Sequence, residues 1–353
     1  MSLFILELIP VCTAMFYYVI WRFFVIFGNN SKLIPLIIAI ILACYVIFTF
    51  MYQWNSKVLD ILSTISSWIF VLWFILLIIL AIFHAISYVR HSINPWIIVW
   101  IIILELWVGI YCSLHTSITQ LNIQSDKIQK DTKILLVSDI HVENVTQKLH
   151  INQILKAIET EKPDFVIIAW DLMNKPHKTY VDYFSAFKSV KDIPIFAVIG
   201  NHDVMWDWKI VNDIPKKSGI VFLNNAITKN DSFNIQIAGI IDKSIWENKS
   251  LNEIMGDVDF DNSRDWFTIL VTHQPINLEK LEDYPVDLEV AWHTHRGQFY
   301  GIMELSRIAN DYLYWEYKYW DRTAFVTQWI WTWGLPFRLW TQSEMVIINL
   351  TKK

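Results

Sequence analysis

The chain has 353 residues, enough for two domains, and it is 54% hydrophobic with a mean hydropathy of +0.34, which points to a membrane-embedded part. A net charge of −5 without a long run of like charges argues against a nucleic-acid partner. The three cysteines, Cys12, Cys44 and Cys112, all fall in apolar N-terminal segments, where they read as small buried hydrophobes and leave the redox compartment open.

Residues 3–27, 34–53, 59–83 and 95–114 are nearly continuous apolar runs separated by polar breaks. Each is long enough to cross a bilayer, which needs ~20 apolar residues, so four transmembrane helices are expected over residues 1–114. The first run lacks a basic start and a small-residue cleavage site, so it reads as a retained helix rather than a signal peptide. Orientation is weakly specified, because Arg22, Lys32 and Arg90 on one side nearly balance Lys57, Lys127, Lys130 and Lys133 on the other. Glu7 and Glu105 lie inside apolar runs and are expected to face a neighbouring helix. The polar stretch 115–132 reads as a linker.

From residue 133 the pattern changes to alternating strands and helices. Strands are expected at 133–138, 165–169 and 194–199, with helices near 146–161, 178–190 and 208–217 between and after them. Further strands are expected near 220–223, 234–240, 267–272, 286–291, 323–327 and 345–350, with 241–266 a polar loop carrying one short helix. This order predicts an α/β fold over 133–353, two packed mixed β-sheets flanked by helices.

The apolar runs stop on metal-binding groups. The first ends in Asp139-Ile140-His141, the second in Asp171, the third in Gly200-Asn201-His202-Asp203; later runs end in Thr272-His273-Gln274 and His293-Thr294-His295. Mixed oxygen and imidazole donors suit manganese, iron or zinc better than calcium or magnesium. The motifs DIH at 139–141, WDLMN at 170–174, GNHD at 200–203, THQP at 272–275 and WHTHRGQ at 292–298, with TWGLPFR at 332–338, resemble the calcineurin-like metallophosphoesterases across about 133–350. Within that family they are most similar to a membrane-anchored bacterial subgroup.

The resemblance implies the family's α/β sandwich and two divalent metal ions that activate hydroxide for attack on a phosphate ester. It assigns Asp139, His141 and His295 to one metal, Asp171 to both, and Asn201, His273 and His293 to the other. His202 matches the catalytic histidine and Asp203 its orienting partner. Two departures stand out: Asn174 replaces an Asp, which implies tuning rather than loss, and Arg296 replaces a Gly, leaving it either to pair with a substrate phosphate or to lie at the surface. The expected protein is a membrane-anchored phosphoesterase acting on phosphodiester or pyrophosphate bonds of lipid-linked or envelope substrates, with its catalytic domain outside the cytoplasm. A nucleotide phosphodiesterase and a non-catalytic metal-binding membrane protein are the alternatives.

Glycine is scarce and tryptophan abundant, at 9 and 19 residues. Ordinary usage of ~7% would give roughly 25 glycines. Several tryptophans stand where the family resemblance has glycine, including Trp170 and Trp292 beside ligands. The expectation is that positions 170, 206, 292, 315, 320, 329, 331 and 340 are glycine in the natural protein, as would follow if a UGA codon read there as glycine were translated as tryptophan.

Overall fold

The computed structural model describes residues 3–51, 57–87, 94, 96–142, 147–169, 171–173, 178–201, 203, 208–245, 249–261, 263, 265–291, 312–328, 330 and 337–353. They fall into two compact units, 1–110 and 111–353.

The first unit is helical: α1 (Leu3–Ile26), α2 (Leu33–Met51), α3 (Lys57–Ser87) and the greater part of α4 (Trp96–Leu114). Phe16, Val19, Ala39, Ala43, Trp73 and Leu80 pack at its centre, while Ile41, Trp100 and Leu104 point outward. Helices that are apolar on every face suit a lipid surrounding. Three of them are long and apolar enough to cross a membrane, over Ile9–Ile26, Thr64–Ile86 and Trp96–Leu114. The fourth expected crossing, over α2, is not among them: its described apolar part runs Leu33–Ile47.

The second unit has two six-stranded mixed sheets, which accords with the expected α/β sandwich. The first sheet contains β1 (Ser117–Ser125), β2 (Thr132–Ser138), β3 (Phe165–Ala169), β4 (Ile195–Val198), β5 (Val221–Phe222) and β12 (Glu344–Lys352), in the order β1-β12-β2-β3-β4-β5. The second contains β6 (Ala226–Asn230), β7 (Ile235–Gly239), β8 (Phe267–Val271), β9 (Leu288–Ala291), β10 (Trp315–Tyr319) and β11 (Arg322–Val326), in the order β10-β11-β9-β8-β7-β6. In each sheet the central strands run parallel, β2-β3-β4 in one and β7-β8-β9-β11 in the other.

Residues on one strand alternate between two buried layers, as the pleat requires. Ile134 and Leu136 of β2 face inward with Ile167, Ile237, Ile269 and Val290, and form the core between the sheets. Leu135 and Val137 face the opposite way, toward Ile154 and Ile158 of α5 (Gln147–Glu161) and Phe184 and Phe187 of the 3-10 helix 182–190. That 3-10 turn follows the short α6 (Lys178–Val181), where one continuous α-helix was expected.

The stretch 115–132, read from sequence as a linker, contains β1. It pairs parallel with β12 along its whole length, from Ser117 opposite Glu344 to Ser125 opposite Lys352. The last carbonyls of α4, which no helical partner can satisfy, are taken up by side chains and backbone just ahead of β12 and on α5. Ser343 N donates to Cys112 O at 3.1 Å, Ser343 Oγ to Ser113 O at 2.9 Å, and Gln153 Nε2 to Leu114 O at 2.7 Å.

Trp315, Trp320 and Trp340 have φ of 82°, 56° and 61°. They are the three of the eight suspected positions that the structure describes, and no other described tryptophan has positive φ. Trp320 is the clearest. With Tyr319 paired to Arg322, Trp320 and Asp321 form a two-residue hairpin loop. Left-handed φ at the first loop residue is the position that such turns give to glycine. The indole is 86% exposed, so it gains little burial to offset the strain. Trp320→Gly is expected to stabilise the protein by about 1–2 kcal/mol, read as a rise in thermal midpoint; an unchanged or lowered midpoint would contradict this.

Candidate metal centre

Parallel strands put their C-terminal ends on one edge, the edge where open α/β sheets place their sites. Asp139 and His141 follow β2, Asp171 follows β3, and Asn201 follows β4. The β2–β3 ladder continues into the loops: Asp139 N donates to Ala169 O at 3.3 Å, His141 N to Asp171 O at 2.8 Å, and Val142 N to Leu172 O at 2.9 Å. Three of these residues hold left-handed backbone, with φ of 51° at Asp139, 42° at His141 and 45° at Asp171. Non-glycine residues in that region carry a cost of order 1–3 kcal/mol each, and such strain tends to concentrate at functional sites.

The loops bring the side chains together. His141 Nε2 lies 3.6 Å from Asp139 Oδ1 and 3.7 Å from Asp171 Oδ2. One ligand atom from each of the three residues falls within 4.8 Å of the others, and all three residues are buried. Both carboxylate oxygens of Asp139 and the amide oxygen of Asn201 are buried without a hydrogen-bond partner among the described residues. Burial, and then the neighbouring Asp171 charge, push the Asp139 carboxyl well above the usual carboxylate range; the Ser138 side chain and, more weakly, the buried Arg338 oppose this only in part. Buried carboxylates this close to one another fit a divalent cation, whose charge would offset both burial and repulsion.

Asp203 braces this edge. Its Oδ2 accepts from Leu172 N at 3.2 Å and Gly200 N at 3.1 Å, and its Oδ1 accepts from Met173 N at 3.1 Å. One carboxylate thereby ties the loop of Asp171 to the loop of Asn201. Burial raises its pKa to about 6, against the pull of those three amides and of the Asp171 backbone N–H.

On the second sheet, His273 follows β8 and is 2% exposed. Glu289 on β9 holds its loop from both sides: Glu289 Oε1 accepts from Thr272 Oγ1 at 2.8 Å and from Ile276 N at 2.7 Å. His202, His293, His295 and Arg296 lie outside the described residues, as do Asn174, Trp170 and Trp292. Sequence reading passed over Asp242, Glu289 and the burial of Arg338. The signal for Asp242 was present, since the apolar run of β7 also ends on an acid, Gly239-Ile240-Ile241-Asp242.

Parallel strands that bring buried carboxylates and imidazole to one edge of a two-sheet sandwich define an α/β protein built around a metal centre. A model of the family described as calcineurin-like phosphoesterase matches residues 132–297. An uncharacterized metallophosphoesterase of Helicobacter pylori is 27% identical over 256 residues, covering 70% of this chain and 67% of that protein. A transmembrane protein with metallophosphoesterase domain from Bos taurus is 23% identical, covering 62% of this chain and 52% of its own. The phosphodiesterase YaeI of Escherichia coli is 25% identical, covering 47% and 61% respectively. Residues 132–297 thus carry a calcineurin-like phosphoesterase domain, and with homologues named metallophosphoesterases the chain is a metal-dependent phosphoesterase.

Proposed function

We propose that the protein is a membrane-anchored phosphoesterase that uses two divalent cations to hydrolyse phosphodiester or pyrophosphate bonds of lipid-linked or envelope substrates. The observation that carries this reading is the buried group of Asp139, His141 and Asp171, whose ligand atoms lie within 4.8 Å of one another. Asp139, His141 and His295 would hold one cation, Asn201, His273 and His293 the other, and Asp171 would reach both. Bound cations would neutralise the phosphoryl oxygens and lower the pKa of the attacking water. The chain's own share is to orient the ester, with Arg296 on a phosphate oxygen, and to deliver a proton from His202 to the leaving oxygen. The relative named a phosphodiesterase supports the bond type, and the apolar helices support the membrane setting.

The test is manganese-dependent hydrolysis of a chromogenic phosphodiester by the full-length protein in detergent. Turnover is expected, and His202→Ala should lower it by about 10²–10⁴-fold. A folded, metal-loaded protein that hydrolyses neither this ester nor a lipid pyrophosphate would overturn the catalytic reading. We place α2 as a fourth crossing and the catalytic domain outside the cytoplasm; protease digestion of intact cells that leaves the domain untouched would refute this placement.

The left-handed tryptophans support a further part of this reading, that the natural site is flanked by glycine at 170 and 292. UGG codons at those two positions would rule it out.

A further inference from the structure

We propose that the sheet edge bearing Asp139, Asp171 and Asn201 lies on the bilayer surface, so that the site takes phosphate esters carried on lipids of its own membrane. The substrate half of this proposal rests on the phosphoesterase reading above. The placement follows from where the chain enters the first sheet.

Only His115 and Thr116 separate Leu114, the last residue of the candidate span Trp96–Leu114, from Ser117 at the start of β1. β1 runs parallel to β12, and β12 runs antiparallel to β2, so Thr119, Val346 and Leu136 stand side by side. Two residues further toward the C-terminal end of β2 the same row is Ser117, Glu344 and Ser138, and Asp139 comes next. The start of β1 and the end of β2 therefore share one edge, the edge that also bears Asp171 and Asn201. Neighbouring strands lie ~4.8 Å apart, which puts Ser117 about 10 Å from Ser138.

The entry is clamped. Tyr111–Leu114, the last turn of the helix, belongs to the same compact unit as the metal centre. The Cys112, Ser113 and Leu114 carbonyls accept from Ser343 and Gln153. Ser117 N donates to Ser343 O at 2.8 Å, and Thr116 Oγ1 donates to Gln153 Oε1 at 3.0 Å. The helix end is thereby fixed to the sheet edge. Around it Tyr111, Ile118 and Leu149 are exposed, and the Tyr111 ring stacks on His115 with centroids 3.9 Å apart. Amphipathic rings at the end of a span favour the headgroup level. The opposite edge carries Lys127, Lys130 and Lys352, and the nine residues of β1 set it roughly 25–30 Å away.

The consequence is a substrate class. A lipid's phosphate sits in the headgroup layer, just outside the ~30 Å hydrocarbon core, at the level where the span ends. A site held there meets such phosphates by diffusion within the membrane plane. Confinement to one surface raises the effective concentration of the ester, an advantage that a soluble nucleotide does not share.

The experiment reconstitutes the full-length protein with manganese in phosphatidylcholine vesicles. The probes are a p-nitrophenyl phosphodiester anchored on diacylglycerol and its soluble methyl counterpart. The anchored ester should turn over at least about tenfold faster in the protein's own vesicles than when supplied in separate vesicles. Equal rates in the two arrangements, or turnover of the soluble ester alone, would overturn the proposal and leave the phosphoesterase reading intact. Turnover of neither ester would overturn that reading and the substrate half with it. The placement is read independently of turnover, by energy transfer to headgroup-labelled lipids from a coumarin amino acid in place of Leu149 or of Lys353, both exposed. Transfer from position 149 should exceed that from 353 by about twofold or more, given the strand length between the two edges. Equal or reversed transfer would show that this edge is turned away from the bilayer and would overturn the placement.

Discussion

Gly200→Ala is expected to cost the protein its bound metal and at least 100-fold of its activity, while the metal-free protein still folds. A Cβ built on Gly200 would lie 2.0 Å from Asp171 Oδ1 and 2.7 Å from the Asp171 backbone nitrogen. A side chain can swing away from such a contact, but a backbone nitrogen inside a zipped loop cannot. Asp171 is already held in left-handed backbone by the bond from His141 N to its carbonyl, and Gly200 N is itself bound to Asp203. Any shift that relieves the methyl group therefore moves a ligand, its neighbouring ligand loop or the brace between them. Misplacing a reacting group by about 1 Å can cost 10²-fold in rate. The check is metal content by elemental analysis beside turnover of the chromogenic ester. Wild-type stoichiometry in Gly200→Ala would show that the loop yields more easily than this packing allows.

Glu289→Gln is expected to make the metal-free protein more stable at alkaline pH and to leave it unchanged near pH 4. Glu289 is fully buried, and burial raises its carboxyl from an ordinary 4.5 to about 8 even though Ile276 N and Thr272 Oγ1 donate to it. A folded-state pKa above the unfolded value means that the stabilising form is the protonated one. Its contribution is complete below about 4.5 and is lost as pH rises through about 8. Glutamine copies the neutral form and keeps the acceptor for both donors. The stability difference between variant and wild type should therefore grow from near zero at low pH to a few kcal/mol above pH 8. Thermal unfolding in detergent with chelator, followed across pH 4.5 to 9, reads it directly. Other buried acids such as Asp203 titrate in both proteins and cancel in the difference. A difference that stays flat with pH would mean that Glu289 is charged in the folded state.

How much of this was legible in sequence follows from where each strand sits. β2, β3, β8 and β9 are buried on both faces, so they appear as unbroken apolar runs, and the donor residues at their ends stand out against them. The three strands that escaped sequence reading, β1, β6 and β10, are all sheet edges. SITQLNIQS, AITKN and WEYKY mix polar and apolar residues because one side of an edge strand meets water. Buried acids were hidden for a different reason, since their partners are remote in sequence. Glu344 accepts from Thr119 Oγ1 at 2.6 Å, Thr327 Oγ1 at 2.9 Å, Gln328 N at 3.1 Å and the Tyr314 hydroxyl at 3.2 Å; Thr119 is 225 residues away. No local pattern distinguishes such a residue from a solvated glutamate. Positions 315, 320 and 340 were among those expected to be glycine, and Trp315, Trp320 and Trp340 all hold left-handed φ.

The insertion of β12 between β1 and β2 sets the timing of assembly. β1 can form its nine-residue ladder only with β12, and Ser117 bonds to Ser343 across 226 residues of intervening sequence. During synthesis β1 would emerge early and wait, an unpaired edge beside β2, until translation has passed residue 352. Loop closure over that length is slow, and such waiting edges invite association with other chains. The nascent domain would thus depend on a holding chaperone for most of its translation, and stalling the ribosome a few residues short of β12 would leave the first sheet without the strand that joins its two parts.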